Sequence, residues 1–475
     1  MSRGAARLRL LDAQCFERPV KLRLPFRFGV VTLTEAPQLF VHARIRMAHG
    51  REGEGVSAEL LVPKWFDKSP ELSHEDNFNQ LRAALAIARS HLLAAGENTP
   101  FGLSAAVEAA IHVECARRKL GGLIASFGLA LLDRAILDAL GRTEKAGIFS
   151  LAHDNRFGLD ASTAPDLAGF DLDKFLGQIK PAHSIHVRHT VGLVDALTKA
   201  ETGRRLNDGL PESLEEAIAA YGHRYFKLKV GGDLDADIDR LSRIAAVLDR
   251  LPERYFATLD GNEQYADIGA VVELWRHVSE EPRLARLKSS ILLLEQPIAR
   301  SAALEKSVAA LAHEVPIEID ESDADISVFP RARELGYRGI SSKACKGFYR
   351  ALLNRARVEK WNGEAGAGRF FMSAEDLTTQ SGVAVQQDLT QALLIGATHV
   401  ERNGHHYVDG MAGAPEGEQE AFRAAQPALY SRANGRVRLA IRDGQLALGS
   451  LHEAPGLATG AMPDFGAMTE SAPEE

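Results

Sequence analysis

At 475 residues, 45% of them hydrophobic and 25% charged, the chain has material for a large core and for two domains. Its formal net charge of -8, without a basic cluster, argues against nucleic acid and anionic membrane surfaces as partners. No apolar run approaches the roughly 20 residues of a membrane helix, Met1-Ser2-Arg3-Gly4-Ala5-Ala6-Arg7 lacks a secretory h-region, and Cys15, Cys115 and Cys345 match no zinc spacing, so a cytoplasmic protein with free thiols is expected.

The first stretch reads as β structure. Leu39–Met47 alternates as a half-buried strand does, and the Gly-rich turn Ala48–Gly55 leads into Val56–Leu61, which makes a hairpin. Neither Lys-Ser/Thr nor a helix follows that turn, so its glycines are not a phosphate loop. Pro25–Thr34, just before, is a further apolar strand that carries Arg27. Helical pattern begins after Ser73, an N-cap, runs through Leu81–Ala88, and returns at Ser104–Leu120 and Leu123–Leu140. Strands followed by helices predict an α+β domain over residues 1–150.

Residues 151–182, with scattered Gly, Asp and Pro, are read as a junction and insertion. From 183 to 403 strand runs recur about every 25 to 35 residues, the spacing of a parallel β/α barrel. Eight strands are expected, from Ile185-His186-Val187 to Thr398-His399-Val400. The helices between them include Ser213–Tyr221, Leu234–Leu251, Ile268–Val278, Ala302–Ala312, Arg350–Trp361 and Val383–Ile395. The remaining residues 404–475 contain Arg436–Leu448, a hairpin signature with an Asp443-Gly444 turn, expected to pack on the first domain before a disordered acidic end after Met468.

Candidate chemistry concentrates between Tyr225 and Lys346. Lys227 and Lys229 share one face of a strand, because side chains alternate. The next three strand runs end in acids, Asp260, Glu295 and Asp320, and the following one ends in Lys343. Barrel active sites lie at the carboxyl ends of strands, where all these residues fall. Three carboxylates on one axis need a cation between them, and an all-oxygen set suits Mg²⁺, with Mn²⁺ as its substitute. Repulsion between neighbouring ammonium groups and partial desolvation would lower a lysine pKa, which makes Lys229 a proton acceptor; Lys343 would serve the opposite face of a metal-held substrate.

Other residues carry weaker signals. His183, His186 and His189 are spaced for a helix, whereas strand period two turns His186 away from the other two, so zinc binding by these three is not expected. His405-His406-Tyr407 reads as an exposed loop past the last strand. Glu375-Asp376 ends the seventh strand run, where it would bind substrate or cap the next helix.

Lys-Leu-Lys-Val-Gly from Lys227, Leu259-Asp260-Gly261-Asn262, Leu294-Glu295-Gln296-Pro297, Ile319-Asp320-Glu321-Ser322 and Ser342-Lys343-Ala344-Cys345-Lys346-Gly347 together resemble the enolase superfamily, in its muconate-cycloisomerase (muconate lactonizing) branch. The resemblance implies a modified TIM barrel, (β/α)₇β, under an N-terminal α+β capping domain. It implies Mg²⁺ on Asp260, Glu295 and Asp320, with Lys229 and Lys343 as opposed acid/bases and Lys227 tuning Lys229 or touching a carboxylate. Asn262 and Glu321 would stand behind the metal ligands, and Arg27 would sit where the family's specificity loop covers the mouth. Because the common Gly-Gly is missing after Lys343, a register slip would turn Lys346 to the substrate instead. No histidine lies between His313 and His399, unlike mandelate-racemase-type members, and Val400-Glu401-Arg402-Asn403-Gly404 departs from the Asp-x-Asp of dipeptide epimerases. The implied activity is abstraction of the proton next to the carboxylate of a small acid through an enediolate, ending in racemisation or epimerisation, cycloisomerisation or dehydration. The alternative is a barrel that binds a carboxylate through the same metal without turnover. Homo-oligomerisation is left open.

Overall fold

The computed structural model describes residues 4–29, 31–377 and 380–471. Its first layer is an antiparallel sheet of β1 (Leu8–Phe28), β2 (Val31–Met47) and β3 (Glu52–Leu60), with Leu8 opposite Met47 and Gln38 opposite Leu60. Three helices cover one face: α1 (His74–Ala94), α2 (Pro100–Arg117) and α3 (Gly122–Glu144). Ser73 opens α1 through a reciprocal capping box, its Oγ accepting from the Asp76 N–H at 3.1 Å while Asp76 accepts from the Ser73 N–H at 2.7 Å. The second helix starts earlier than Ser104, at Pro100, because Thr99 caps it and proline suits the first helical position. Leu123 to Gly141 of α3 is buried on every side, so this helix forms the middle of the layer rather than its surface. It fits there because two glycines let backbones approach: a Cβ on Gly55 would lie 2.1 Å from Ala139 N, and one on Gly128 2.4 Å from the Ala84 carbonyl.

After two short helices, α4 (Ile148–His153) and α5 (Leu172–Gly177), the chain enters a closed barrel. Its eight parallel strands are β4 (Ser184–Val191), β5 (Tyr225–Lys229), β6 (Phe256–Asp260), β7 (Ile291–Glu295), β8 (Ile317–Ile319), β9 (Gly339–Ser342), β10 (Phe371–Ala374) and β11 (His399–Arg402), with β11 paired to β4. Outer helices are α6 (Leu214–Tyr221), α7 (Leu234–Leu248), α8 (Ile268–Glu280), α9 (Ala285–Ser290), α10 (Ala309–Ala312), α11 (Val328–Glu334), α12 (Phe348–Ala365) and α13 (Val383–Leu394). The helix expected over Ala302–Ala312 is reduced to α10. Ahead of it, Arg300 is drawn over the barrel mouth by bonds to Glu263 and to the Trp65 and Phe66 carbonyls, and the chain runs in turns instead.

The C-terminal segment corrects a second expectation. After α14 (Gly404–Tyr407) and α15 (Glu416–Ala425), β12 (Tyr430–Ala433) and β13 (Arg436–Leu439) form the hairpin, and its turn is Asn434-Gly435. Asp443-Gly444 instead releases β14 (Gln445–Ala447) to pair antiparallel with β4 on the barrel, ahead of α16 (Gly449–Glu453). The chain then returns to the first layer: Asp138 of α3 accepts from the Leu457 N–H at 2.9 Å and the Thr459 hydroxyl at 2.6 Å. A final strand, β15 (Thr469–Glu470), pairs with Phe16 and Glu17 of β1, so the end after Met468 is ordered to that point by strand pairing; residues 472–475 lie outside the described residues. Among the described residues no helix is long and apolar enough to cross a membrane.

Candidate active site

Strand register decides which side chains face the barrel axis. Lys229 pairs with Asp260, Asp260 with Glu295, and Glu295 with Glu318, so all four point inward near the carboxyl ends. Across the barrel, four strands from β5, Lys343 continues β9 inward. Asp260, Glu295, Asp320, Lys227, Lys229 and Lys343 are each 5% exposed or less.

Lys227 is the hub. Its ammonium donates to Glu295 Oε1 at 2.8 Å, to Glu401 Oε2 at 2.9 Å and to Glu375, and lies 2.9 Å from Asp260 Oδ2. Burial disfavours that charge, but Asp260, Glu295 and Glu401 outweigh it and push the pKa well above the usual lysine range. Lys227, which was not the lysine expected to accept a proton, thus stays charged because carboxylates surround it. Its three ammonium protons are taken by glutamates. Lys229 donates to Asp260 Oδ2 at 2.5 Å. Lys343 donates to Asp320 Oδ2 at 2.8 Å, and although burial opposes it, Asp320 holds its pKa above the ordinary value. Lys346 reaches Asp320 Oδ1 from behind at 2.9 Å while donating to the Ser341 carbonyl and hydroxyl.

Lys227, Lys229, Asp260, Asn262, Asp320 and Lys343 line one cavity with Phe26, Phe28, Val62 and Trp65 from the first layer. Lys346 does not line it, and neither does Arg27. Strand alternation turns Phe26 and Phe28 inward and leaves Arg27 exposed. The Trp65 ring lies 5.3 Å from Lys343 Nζ, a cation–π contact. The cavity is small, about 30 Å³. A cleft of about 760 Å³ opens elsewhere, between β1, β2 and α1, but its charged lining is mostly exposed glutamate and it contains none of the lysines above.

Behind the cavity, Asn262 donates its N–H to Asp260 Oδ1 at 2.8 Å and its amide to Glu321 Oε1 at 3.2 Å. It does so with φ of +40°, and Gln296 at the end of β7 has φ of +32°, so both strand ends store backbone strain where they position polar groups. Gly261 is required between them, since a Cβ there would lie 2.6 Å from Pro297 Cα. Lys68, from the irregular segment after β3, donates to the Asn262 carbonyl at 2.8 Å and pairs with Glu263. Sequence reasoning missed Lys68 and Trp65, which lie on no periodic element. It also passed over Glu318, although that residue precedes Asp320 by one strand repeat and shares its face. Among the described residues Glu375 caps no helix; it accepts from Lys227 and Arg188.

The donor set fits a hard divalent cation. Asp260, Glu295, Glu318, Asp320, Glu321, Glu375 and Glu401 are buried acids that share the barrel end with the buried cations Arg188, Lys227, Lys229, Lys343 and Lys346. Among the described residues, buried Glu318 Oε2, Glu321 Oε2 and Asn262 Oδ1 have no hydrogen-bond donor, whereas Glu295 Oε2 lies 2.8 Å from Lys227 Nζ. Lys227 and Lys229 hold Asp260 below the usual carboxylate range and Lys343 and Lys346 hold Asp320 well below it, in both cases against burial. Burial, reinforced by Asp260, pushes Glu295 well above that range, and burial pushes Glu318 up to about 7. The tightest convergence differs from the expected trio: oxygens of Glu295, Glu318 and Glu375 lie within 4.8 Å of one another, while Asp260 and Asp320 are turned to their lysines.

Residues 209–361 match the family model described as Enolase C-terminal domain-like. That stretch is similar to the enolase C-terminal domain. It contains Lys227, Lys229, Asp260, Glu295, Asp320 and Lys343. Among solved structures, the chain is similar to an enolase superfamily member from Roseovarius nubinhibens ISM complexed with magnesium, at 19% identity over 98% of this chain and 99% of that one, with a TM-score of 0.57. It is similar to a dipeptide epimerase from Enterococcus faecalis V583 complexed with Mg and the dipeptide L-Leu-L-Tyr, at 16% identity over 95% and 99% of the two chains and a TM-score of 0.59. A 2-chloromuconate cycloisomerase from Rhodococcus opacus 1CP gives 16% identity over 97% and 98%, and a TM-score of 0.58. No curated protein matches the chain.

Proposed function

We propose that the protein is a Mg²⁺-dependent isomerase or lyase that removes the proton next to the carboxylate of a small acid. The observation that carries this reading is the placement of Lys229 and Lys343 on opposed barrel strands, lining one cavity whose other buried polar groups are mostly oxygen donors. Asp260, Glu295 and Asp320 would hold the ion, which when bound supplies Lewis-acid stabilisation of negative charge building on the substrate carboxylate. Lys229 moves the proton at the substrate α-carbon on one face. Lys343 holds a proton on the other face, where its return inverts the centre; loss of a β-substituent gives dehydration or cycloisomerisation instead. Lys227, its protons committed to three glutamates, positions charge rather than transferring protons. Phe26, Phe28 and Trp65 exclude water from the mouth.

A second reading rests on a specific contact. Each amine is ion-paired, Lys229 with Asp260 and Lys343 with Asp320, and an amine held in that way binds a carboxylate ligand without exchanging its proton. Solvent deuterium exchange separates the two. A library of small carboxylates incubated with the protein and Mg²⁺ in D₂O is expected to show deuterium at one α-carbon by NMR, with Lys229→Ala and Lys343→Ala each reducing exchange by at least about 100-fold. Binding without exchange across the library favours the second reading.

A further inference from the structure

Outside the barrel, a second cluster of chemistry-bearing side chains gathers between β4, the approach to β5 and α14. His189 lies opposite Phe226 and Arg402 in register, one residue off the inward-facing Thr190, and so points away from the axis. His223 follows Gly222, whose left-handed backbone ends α6 and turns the chain into β5. His405 and His406 come from α14, just past the last barrel strand. These four residues occupy three separate parts of the sequence, and the predicted exposed loop at His405-His406 is in fact packed: His406 is buried and His405 half-buried, because α14 is held down on β4.

Ring nitrogens of His189, His223 and His405 all lie within 4.8 Å of one another, and His189 Nδ1 is 3.1 Å from His405 Nε2. His223 is 0% exposed, and neither of its ring nitrogens has a hydrogen-bond partner of ordinary geometry, although the Val187 backbone comes near. His405 Nδ1 is likewise buried without a partner. Leaving a buried polar group unpartnered is destabilising, and here the unpartnered nitrogens belong to a three-imidazole set. In tetrahedral zinc sites, bonds of about 2.0–2.1 Å place ligand nitrogens roughly 3.4 Å apart, close to the spacing of His189 and His405. Burial keeps the three imidazoles far below their usual basicity and so in the neutral form that ligates metal.

We propose that His189, His223 and His405 form a binding site for a zinc-class transition-metal ion, distinct from the oxygen-lined barrel mouth, with water in the fourth position. His406, whose ring centroid is 5.0 Å from that of His189, stands beside the site. The ion would tie α14 to β4 and to the start of β5. It is a pin at the base of the segment that follows Glu401 and Asn403, and its existence does not depend on the activity proposed above.

The test uses the full chain with excess Mg²⁺, so that oxygen sites are taken, and Zn²⁺ as the probe. After desalting, metal analysis is expected to find about one zinc per chain, and X-ray absorption to show three imidazole nitrogens near 2.0 Å with their outer-ring scattering. His223→Ala and His405→Ala are expected to weaken zinc binding at least about tenfold each. Zinc retained with an oxygen-only shell, no zinc retained, or unchanged affinity in both variants would overturn the proposal. Should either variant fail to fold, the wild-type absorption spectrum decides by itself.

Discussion

Lys227 sits at the point where the charges of the barrel are reconciled, and its contacts make a prediction independent of any substrate. Replacing it by methionine keeps most of the volume but removes the ammonium from among Glu295, Glu375 and Glu401, leaving Glu375 its bond to Arg188. Lys227→Met is expected to lower unfolding free energy by about 3–5 kcal/mol, the usual penalty for breaking a buried ion pair, as read by urea denaturation. Glu59 makes a different kind of prediction. Burial pushes its carboxyl from 4.5 up to about 7, and Arg134, 3.2 Å away, only partly offsets this. The folded chain thus binds more protons at Glu59 than the unfolded chain does between these pH values. The stability this residue confers is complete below pH 4.5 and is lost as pH rises through about 7. Unfolding measured across that range should show wild type losing up to about 3 kcal/mol relative to Glu59→Gln; parallel curves would contradict the assignment.

The elements were readable to different degrees, for physical reasons. Lys227, Lys229, Asp260, Glu295, Asp320 and Lys343 could be read because strand alternation and the barrel rule assign a face and an end without any tertiary knowledge. Ser73 could be read as a cap because capping is local. Trp65 and Lys68 could not, since they reach the mouth from an irregular segment whose path is set by Arg300 and Glu263. The histidine cluster was illegible because its members share no spacing, and the exposure of Arg27 was not foreseen because the facing of its strand was not read. The Asp443-Gly444 turn was identified correctly as a turn, but local signals do not say which strand receives the chain beyond it. The central helix α3 depends on close approach. Gly128→Ala would place a methyl carbon 2.4 Å from the Ala84 carbonyl and force α1 and α3 apart. A loss of about 2–3 kcal/mol is expected in chemical denaturation.

On the scale of the whole molecule, the first layer, the barrel and the C-terminal return close over one mouth. Phe26, Phe28 and Trp65 cover it, Lys68 and Arg300 bind the two layers across its rim, and Asp138 fastens the returning chain to the layer above. The space left is about 30 Å³, so admitting even a small acid requires the covering aromatics to move. That arrangement, together with the concentration of buried carboxylates there, makes the position of a bound cation the most direct question. Crystals grown with Mn²⁺ and examined by anomalous scattering answer it. One peak is expected at the mouth, within about 2.3 Å of oxygens from Asp260, Glu295 and Asp320, with Lys229 and Lys343 released to either side of it. A peak held instead by Glu295, Glu318 and Glu375 deeper in the barrel, or no peak at all, would contradict the account.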